Sequence, residues 1–348
     1  MHTVKNGATS GGAENDADRL KGTVLRKGRG VYDVRVDGRS IRCTISNKLR
    51  KRLLYPTADP ASLGHHSVQR VEDIKLVDPV AIGDEVELVC AEPGHGQIRE
   101  VLPRRNELGR KINDAKRYSG GKDLAQTIVA NVDQIIPVIS ATRPKPRWHL
   151  LDRYLVGAEA AGIPAVICIT KTDLTRSGDI DGHNRKSGDI DRHRKIYEDI
   201  GYQVALTSAV SGEGVEAFRE VLRNRTSVFV GKSGVGKTTL LNALEPGLGL
   251  AVQEVSGSSG KGRHTTTHLE LFPLRNGGAV VDTPGMKVFA PMEDPAEIAA
   301  CFPEMRPFLG TCRFGADCSH THEPGCAIKD AVESGSISKE RYESLLKM

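Results

Sequence analysis

Apolar and polar residues alternate along the first third of the chain, which is the pattern of half-buried β-strands. Tyr32–Val36 and Ile41–Ile45 show this alternation on either side of an Asp-Gly turn signal, and Val86–Val89 and Gln97–Leu102 extend it. Four or five short strands in so short a stretch predict a small β-barrel of the OB-like kind.

Basic residues are frequent on this predicted barrel, with a dense run at Lys48–Arg52. OB barrels often bind RNA, and such a run would suit phosphate contacts. A solvated charged face without a ligand accounts for the same composition, so both interpretations stay open. The polar, basic segment 103–127 is predicted to be a linker, with contact to nucleic acid as the alternative.

From residue 128 onward, apolar runs of strand length alternate with segments of helical spacing. This alternation predicts a mostly parallel sheet covered by helices, with ligands at the carboxyl ends of the strands. The predicted strands are Gln134–Ile139, Pro164–Ile169 and Gln203–Leu206, and the predicted helices are Trp148–Ala160 and Glu213–Leu222.

A glycine-rich loop follows the apolar run Val228–Val230, precedes a helical pattern and fits G-x-x-x-x-G-K-[ST]. Strand, glycine-rich turn and helix in that order form a phosphate-binding loop, because backbone N–H groups and the helix N-terminus then face the phosphates. We expect Lys237 to reach the outer phosphates and the Thr238 hydroxyl to ligate Mg²⁺. The predicted nucleotide-binding residues of this loop are Gly231, Lys232, Ser233, Gly234, Val235, Gly236, Lys237, Thr238 and Thr239.

Two polar motifs follow the second and third predicted strands of this sheet, and together they indicate guanine. The Asp173 carboxylate can accept from both N1–H and the 2-amino group of guanine, a pair of donors that adenine lacks. The Lys171 stem would lie along the base, and the backbone after Thr207–Ala209 could donate to guanine O6. The first motif alone also fits an ordinary strand-end turn. The residues concerned are Thr170, Lys171, Thr172, Asp173, Ser208 and Ala209.

Two further segments have the sequence of loops that sense the γ-phosphate. An apolar strand ends in D-x-x-G, which would place Asp282 near Mg²⁺ and the Gly285 N–H against a γ-phosphate oxygen. One threonine of Thr265–Thr267, with Thr266 as the candidate, could ligate Mg²⁺ only while the γ-phosphate is present. Both loops could therefore distinguish GTP from GDP.

The attacking water must be positioned without the glutamine that often follows D-x-x-G, since that position is Met286. His264 is the best local candidate for this catalytic role, alongside Lys237. A histidine in a surface loop is the alternative interpretation of His264.

The tail contains a spacing typical of structural zinc, Cys-x5-Cys-x-His-x5-Cys. Four protein ligands complete the coordination of zinc, which excludes an open catalytic position. His322 is a possible substitute ligand. Free thiols clustered by chance are the alternative. The predicted Zn²⁺ ligands are Cys312, Cys318, His320 and Cys326.

Helices are expected on both sides of this zinc set. Asp294 is a helix cap followed by proline and then by glutamate at the third position. A last helix, Ser338–Lys347, is expected to bury Tyr342, Leu345 and Leu346. Zinc would supply stability that so short a segment lacks.

A pentapeptide is duplicated after the first guanine motif, because Ser177–Asp181 recurs as Ser187–Asp191. Its aspartates could be imagined as a calcium loop, but the glycine and glutamate positions of that motif are absent. We predict a solvated, mobile loop.

Size and composition add limits to this picture. A chain of 348 residues is expected to form two or three domains, and no apolar run is long enough for a membrane span. The net charge of +5 is compatible with a polyanionic partner. Seven cysteines, an odd number, indicate a reducing compartment, so we expect a cytoplasmic protein. We also expect a monomer. Aromatic residues are scarce at 4%, which weakens a case for base stacking.

The order of the motifs is itself informative. The guanine motifs precede the phosphate loop and D-x-x-G comes last, which is a circular permutation of the common GTPase order. With Gly262–Thr267 and the cysteine–histidine set, these motifs make the chain from about residue 20 to 348 resemble the circularly permuted GTPases of the RsgA family. The resemblance implies a multidomain chain with an N-terminal OB-like β-barrel, a central permuted α/β P-loop GTPase domain and a small α-rich zinc-binding domain.

The same resemblance implies cofactors and partners. It implies GTP/GDP, Mg²⁺ and Zn²⁺, contact with 16S rRNA, late maturation of the 30S subunit, and hydrolysis stimulated by that subunit. It also implies His264 as the residue for water activation. The expected segments are a disordered leader at 1–19, an RNA-binding OB domain at 20–105, the GTPase domain at 106–290 and the zinc domain at 291–348.

The chain departs from the family pattern at three places, one of which is the duplicated Ser177–Asp191 segment. Thr170 stands where many members have asparagine, which we expect to weaken packing against the nucleotide loop. The first zinc spacing is one residue longer than expected.

Two rival classes remain open. One is another nucleotide-dependent RNA-binding NTPase, including a kinase or ATPase, for which ATP would compete equally with GTP. The other is an RNA-binding structural protein with a vestigial nucleotide site, against which Lys237, Thr238 and Asp282 argue.

Overall fold

The computed structural model describes residues 19–28, 30–50, 78–112, 124–176, 185–248, 269–282 and 294–348. Its first part is a five-stranded barrel in which β1 pairs with β2, β2 with β3, β3 with β5, β5 with β4, and β4 again with β1. The predicted OB-like barrel is therefore confirmed, and its core contains Val24, Val34, Leu88 and Ile98 with no exposed surface. The strands are β1 (Arg19–Lys27), β2 (Tyr32–Val36), β3 (Arg39–Ile45), β4 (Glu85–Glu92) and β5 (His95–Val101), with a short helix α1 (Asn47–Arg50) after β3.

The basic segment 103–127 is not a plain linker, and that prediction was wrong. Strands β6 (Glu107–Ile112) and β7 (Leu124–Ala130) form an antiparallel hairpin within and beyond it. Arg104, just before β6, donates to the fully buried Asp84 carboxylate at 2.7 and 2.9 Å. The charges that made the segment look solvated thus include a buried ion pair that ties the hairpin to the barrel.

The central part is the expected α/β unit. Its strands lie in the order β10-β9-β8-β11-β13-β12, and all neighbouring pairs are parallel except β12 with β13. The strands are β8 (Gln134–Ser140), β9 (Val166–Thr170), β10 (Gln203–Leu206), β11 (Thr226–Val230), β12 (Glu270–Pro273) and β13 (Ala279–Asp282). The helices are α2 (Trp148–Ala160), α3 (Asp173–Arg176), α4 (Arg185–Ile200), α5 (Val215–Val221) and α6 (Lys237–Leu244).

Helix α4 corrects the prediction for the duplicated pentapeptide. The second copy, Ser187–Asp191, lies inside this helix rather than in a loop, while 177–184 lies outside the described residues. Ile190, His193 and Tyr197 are buried at helical spacing, so tertiary burial outweighs the poor helix propensity of glycine and aspartate.

The barrel and the central sheet are continuous. Strand β1 pairs with β12 through Arg26 and Glu270, whose side chains also form an ion pair. The described strands of the barrel and the central unit therefore form one eleven-stranded sheet, which sets the barrel on the β12 side of the nucleotide-binding strands.

The tail contains helices α7 (Pro295–Ala300), α8 (Ala327–Glu333) and α9 (Lys339–Leu345). The Asp294 carboxylate accepts from the Ala296 N–H at 2.8 Å, which confirms the predicted cap. The prediction for the last helix was partly wrong, because Leu346 is 47% exposed while Arg341 is buried. Tyr342 and Leu345 pack at the edge of the tail's core.

Helices α2 and α4 of the central unit contact the tail. Arg341 of α9 donates to Asp152 of α2 at 2.5 Å, and Tyr197 of α4 donates to the same carboxylate at 2.7 Å. Val156 of α2 belongs to the tail's apolar core. The segment 283–293 that links β13 to the tail lies outside the described residues, so α2 and α4 provide the described contacts between the tail and the central unit. No helix in the described ranges is both long and apolar enough to cross a membrane.

Candidate nucleotide site and metal centre

The phosphate-binding loop connects β11 to α6 at the carboxyl edge of the parallel strands. Gly234 and Gly236 have φ of 81° and 100°, a region that favours glycine, and Gly236 caps α6. A Cβ on Gly231 would lie 2.5 Å from the Val138 carbonyl oxygen, so only glycine allows the loop this close to β8. The loop therefore has the backbone that a phosphate cradle requires.

Lys237 is folded back into this loop. Its ammonium donates to the Gly231 carbonyl at 2.8 Å and reaches the Lys232 carbonyl at 3.4 Å, and the residue is only 7% exposed. Burial lowers the Lys237 pKa, while the Asp282 charge opposes this shift. A buried cation held by carbonyl dipoles inside a glycine loop fits the phosphates of a nucleotide, which would replace these acceptors.

The two predicted guanine motifs meet. The Ser208 hydroxyl donates to the Asp173 carboxylate at 2.6 Å, although 35 residues separate them in sequence. The Thr172 N–H donates to the Thr207 carbonyl at 3.3 Å, and Ala209 follows in the same turn. The structure thus brings together a carboxylate and a strand-end backbone turn, the two features that guanine needs.

Lys171 joins the guanine motif to the phosphate loop. Its ammonium donates to the Gly234 carbonyl at 2.7 Å and to the Arg143 carbonyl at 2.6 Å. Burial lowers the Lys171 pKa, and the Asp173 charge opposes this shift. The expected position of the lysine stem along the base is compatible with this bridge, which fixes the stem beside the loop.

Thr170 keeps a contact with the loop despite replacing asparagine. Its hydroxyl lies within hydrogen-bonding distance of the Val235 carbonyl and 3.1 Å from the Ile139 carbonyl. A hydroxyl has one proton, so it donates to one of these acceptors at a time, whereas an asparagine amide could donate to two. The contact between Thr170 and the phosphate loop is present. That this contact is weaker than one made by asparagine stays a prediction.

Asp282 ends β13 beside the phosphate loop. It pairs in register with Phe229 of β11, and its charge acts on Lys237. This is the position expected for a carboxylate near the nucleotide's metal ion. The remaining predicted site residues, His264, Thr266 and Gly285, lie outside the described residues, as does Met286.

The four predicted zinc ligands converge in the tail. Their ligand atoms all lie within 4.8 Å of one another, and all four residues are buried. Sγ of Cys312 is 4.0 Å from Sγ of Cys326 and 3.6 Å from Nδ1 of His320. Zinc–sulfur bonds of about 2.3 Å give tetrahedral edges of about 3.8 Å, so the donor set fits Zn²⁺. Burial lowers the His320 pKa, which favours the neutral ring that binds metal.

The longer first spacing is accommodated by a 3₁₀ turn at Gly315–Asp317 between the first two ligands. The alternative ligand His322 is exposed and its ring bonds the Thr321 hydroxyl at 2.8 Å, so it does not join the cluster. Tyr342 of α9 donates to the His320 carbonyl at 2.7 Å and thereby connects the cluster to the last helix.

Sequence reasoning missed several residues that support these sites. The Arg143 carbonyl, Asp152 and Arg341 had no signal in the motifs. Only the position of Arg143 directly after the predicted strand β8, at the carboxyl edge, could have indicated its nearness to the loop.

Comparison with known proteins decides the family. The family model described as RsgA GTPase matches residues 101–291. A small ribosomal subunit biogenesis GTPase RsgA from Gemmatimonas aurantiaca is 42% identical over 276 residues, which cover 77% of this chain and 83% of the relative. One from Moorella thermoacetica is 38% identical over 94% of this chain and 95% of its own length. The chain belongs to the RsgA GTPase family.

Solved structures of similar proteins agree with this membership. YjeQ from Thermotoga maritima has a TM-score of 0.67 and 31% identity, covering 95% of this chain and 97% of its own. YloQ, described as a circularly permuted GTPase, has a TM-score of 0.64 and 27% identity over 96% of this chain and 95% of its own. The predicted fold class and resemblance are confirmed. As an RsgA GTPase the protein is a GTP hydrolase, and its relatives are named for biogenesis of the small ribosomal subunit.

Proposed function

We propose that this protein binds the 30S ribosomal subunit and assists its late maturation, hydrolysing GTP to GDP and phosphate with stimulation by the subunit. The observation that carries the nucleotide part is the Lys171 bridge, which holds the Asp173–Ser208 guanine turn against the phosphate loop. The names of the relatives support the ribosomal part.

The nucleotide would lie along the carboxyl edge of β9, β11 and β13. Asp173 would accept from the guanine, with Ser208 holding the carboxylate and the Ala209 backbone facing O6. Lys237 would bind the outer phosphates. Mg²⁺, held through Thr238 and near Asp282, would neutralise charge on the phosphate oxygens. The loop residues that would surround the phosphates are Gly231, Lys232, Ser233, Gly234, Val235, Gly236 and Thr239.

The γ-phosphate would be sensed by two loops that flank β12 and β13. Thr266 would join the Mg²⁺ ligands and the Gly285 N–H would donate to a γ-phosphate oxygen, so both loops order only with GTP. His264 would position the attacking water. Hydrolysis would relax these loops and release the protein from the subunit.

Zinc in the tail would be structural. Cys312, Cys318, His320 and Cys326 would complete its coordination, which leaves no position for a substrate. The cluster lies in the same apolar core as α8, so the metal would hold the tail in shape against α2.

The barrel and the tail would hold 16S rRNA, and the protein would act as a cytoplasmic monomer. The domains would be 20–105, 106–290 and 291–348, after a leader at 1–19. Cosedimentation with purified 30S subunits tests this partner. We expect binding with a non-hydrolysable GTP analogue and weaker binding with GDP, whereas no binding in either state would refute it.

A further inference from the structure

A short cationic segment borders the phosphate loop, and its basic side chains have no role in the nucleotide site described above. It consists of Arg143, Lys145 and Arg147, with Pro144 and Pro146 between them, and we name it the cationic strap. The strap connects β8 to α2, and all three basic side chains are exposed. None of them forms an ion pair with a described residue, in contrast to Arg104, Arg306 and Arg341.

The sequence around the strap contains no negative charge to neutralise it. No carboxylate occurs between Asp133 and Asp152, or along the phosphate loop and α6 before Glu245. The exposed Lys232 of the phosphate loop lies across a shallow cleft from Lys145 and Arg147. The positive charges of the strap and of Lys232 therefore add up on one surface, which attracts a polyanion.

The backbone of the strap is stiff. Each proline fixes its φ near −65° and has no N–H, so the backbone that carries the basic side chains has little conformational freedom to lose. Arg143 to Arg147 span at most about 14 Å. That length suits neighbouring phosphates of one nucleic acid strand better than a single small anion.

The strap is also fixed to the nucleotide site. Lys171 donates to the Arg143 carbonyl at 2.6 Å and to the Gly234 carbonyl of the phosphate loop at 2.7 Å. A ligand that displaces the strap would move one acceptor of Lys171 relative to the other. A displacement of the strap would therefore be transmitted to the phosphate loop through the Lys171 side chain.

We propose that the cationic strap binds the RNA phosphate backbone, so that the GTPase domain contacts RNA directly beside the nucleotide site. This inference rests on the proposed function, which supplies an RNA partner in the 30S subunit. The strap would then be a place where the partner acts on the loop that holds the phosphates.

The test is equilibrium binding of the full chain to purified 30S subunits over a series of salt concentrations, with a non-hydrolysable GTP analogue. The variant is Lys145→Gln with Arg147→Gln, and the matched control is Lys195→Gln with Arg223→Gln, which removes the same charge elsewhere. Each lost phosphate contact lowers the log–log salt slope by about 0.7 to 0.9. We expect the strap variant to lose about 1.5 from the slope and on the order of tenfold in affinity at ~0.1 M salt.

The outcomes separate the two proposals. If the wild type binds the subunit and the strap variant keeps its slope and affinity, the strap contacts no RNA and the inference is wrong. If the control variant loses as much slope and affinity as the strap variant, the inference is also wrong, because the loss then follows from the change in net charge alone. If the wild type does not bind the subunit, the proposed function fails and the inference falls with it.

Discussion

The Arg341 guanidinium donates to the Asp152 carboxylate at 2.5 Å, and both side chains are almost completely buried between the tail and α2. Glu304 accepts two further hydrogen bonds from the same guanidinium at 2.6 and 3.2 Å. The guanidinium lies over the Phe302 ring at 4.4 Å from its centroid. This network fixes the pose of the zinc-binding tail on the central unit.

Loss of Arg341 should therefore destabilise the protein strongly. Arg341→Met leaves the buried Asp152 and the partly buried Glu304 carboxylates without their cation, and removal of one partner of a buried pair typically costs about 3–5 kcal/mol. Urea unfolding followed by the fluorescence of the single tryptophan measures this, because Trp148 lies in α2.

The control is Arg306→Gln, which removes a half-exposed ion pair with Glu159 in the same interface. Exposed pairs contribute about 0–1 kcal/mol, so this variant should unfold almost as the wild type does. Equal losses of unfolding free energy in the two variants would show that the buried network stabilises the protein no more than an exposed ion pair does.

Base selection should depend on Asp173 and, less strongly, on Ser208. Asp173→Asn removes the acceptor for two guanine donors, and a hydrogen bond to a charged group is worth about 1.5–3 kcal/mol. We expect GTP affinity to fall by at least about a hundredfold. Ser208→Ala removes only the hydrogen bond that orients the carboxylate and should cost about tenfold.

Competition between GTP and ATP, with Val210→Ala as an exposed control in the same turn, measures this preference. The wild type should bind GTP far more tightly than ATP. Equal competition by ATP would overturn the guanine assignment and favour another nucleotide-dependent NTPase.

Removal of zinc should loosen the tail. Cys312→Ser and Cys326→Ser each take away one of four converging ligands, so the bound zinc should fall from one ion per chain to almost none. The melting temperature of the tail should fall with it. Metal analysis of protein purified without added chelator provides the measurement.

Cys90→Ser is the matched control, because Cys90 lies in β4 of the barrel, far in sequence from the cluster. It should keep its zinc. A wild type without zinc, or a Cys326→Ser variant that retains it, would contradict the structural metal site.

His264→Ala should abolish hydrolysis stimulated by the 30S subunit and leave GTP binding intact. The reason is that His264 is assigned to the attacking water and not to the nucleotide. Single-turnover hydrolysis with the subunit, next to a GTP-binding titration, separates the two effects. Undiminished stimulated hydrolysis would remove His264 from the mechanism.

The sequence predicted the parts of the fold that depend on local pattern. Helix α2 and strand β10 have the predicted bounds, since continuous apolar runs and helical spacing are clear there. Strand β1 was not predicted, because its alternation of apolar and polar residues is broken at a register shift between Val24 and Arg26. Gly22 also weakens the pattern, yet a Cβ there would lie 2.6 Å from the Arg35 carbonyl oxygen.

The parts that were missed depend on tertiary partners. Arg341 has the pattern of an exposed helical arginine, and its buried partner Asp152 is 189 residues away. The α4 sequence is polar, but His193 stacks on Trp148 with ring centroids 4.0 Å apart. The nucleotide motifs could be predicted as chemistry, whereas the bridge from Lys171 to Arg143 required the geometry.

GTP turnover by the full chain, measured with and without purified 30S subunits, tests the proposed hydrolysis and its stimulation together. We expect slow turnover by the protein alone and a large rise with the subunits. We expect the Lys237→Ala variant to lose this turnover. Turnover that the subunits leave unchanged, or a Lys237→Ala variant as active as the wild type, would show that this protein is not a GTPase stimulated by the 30S subunit.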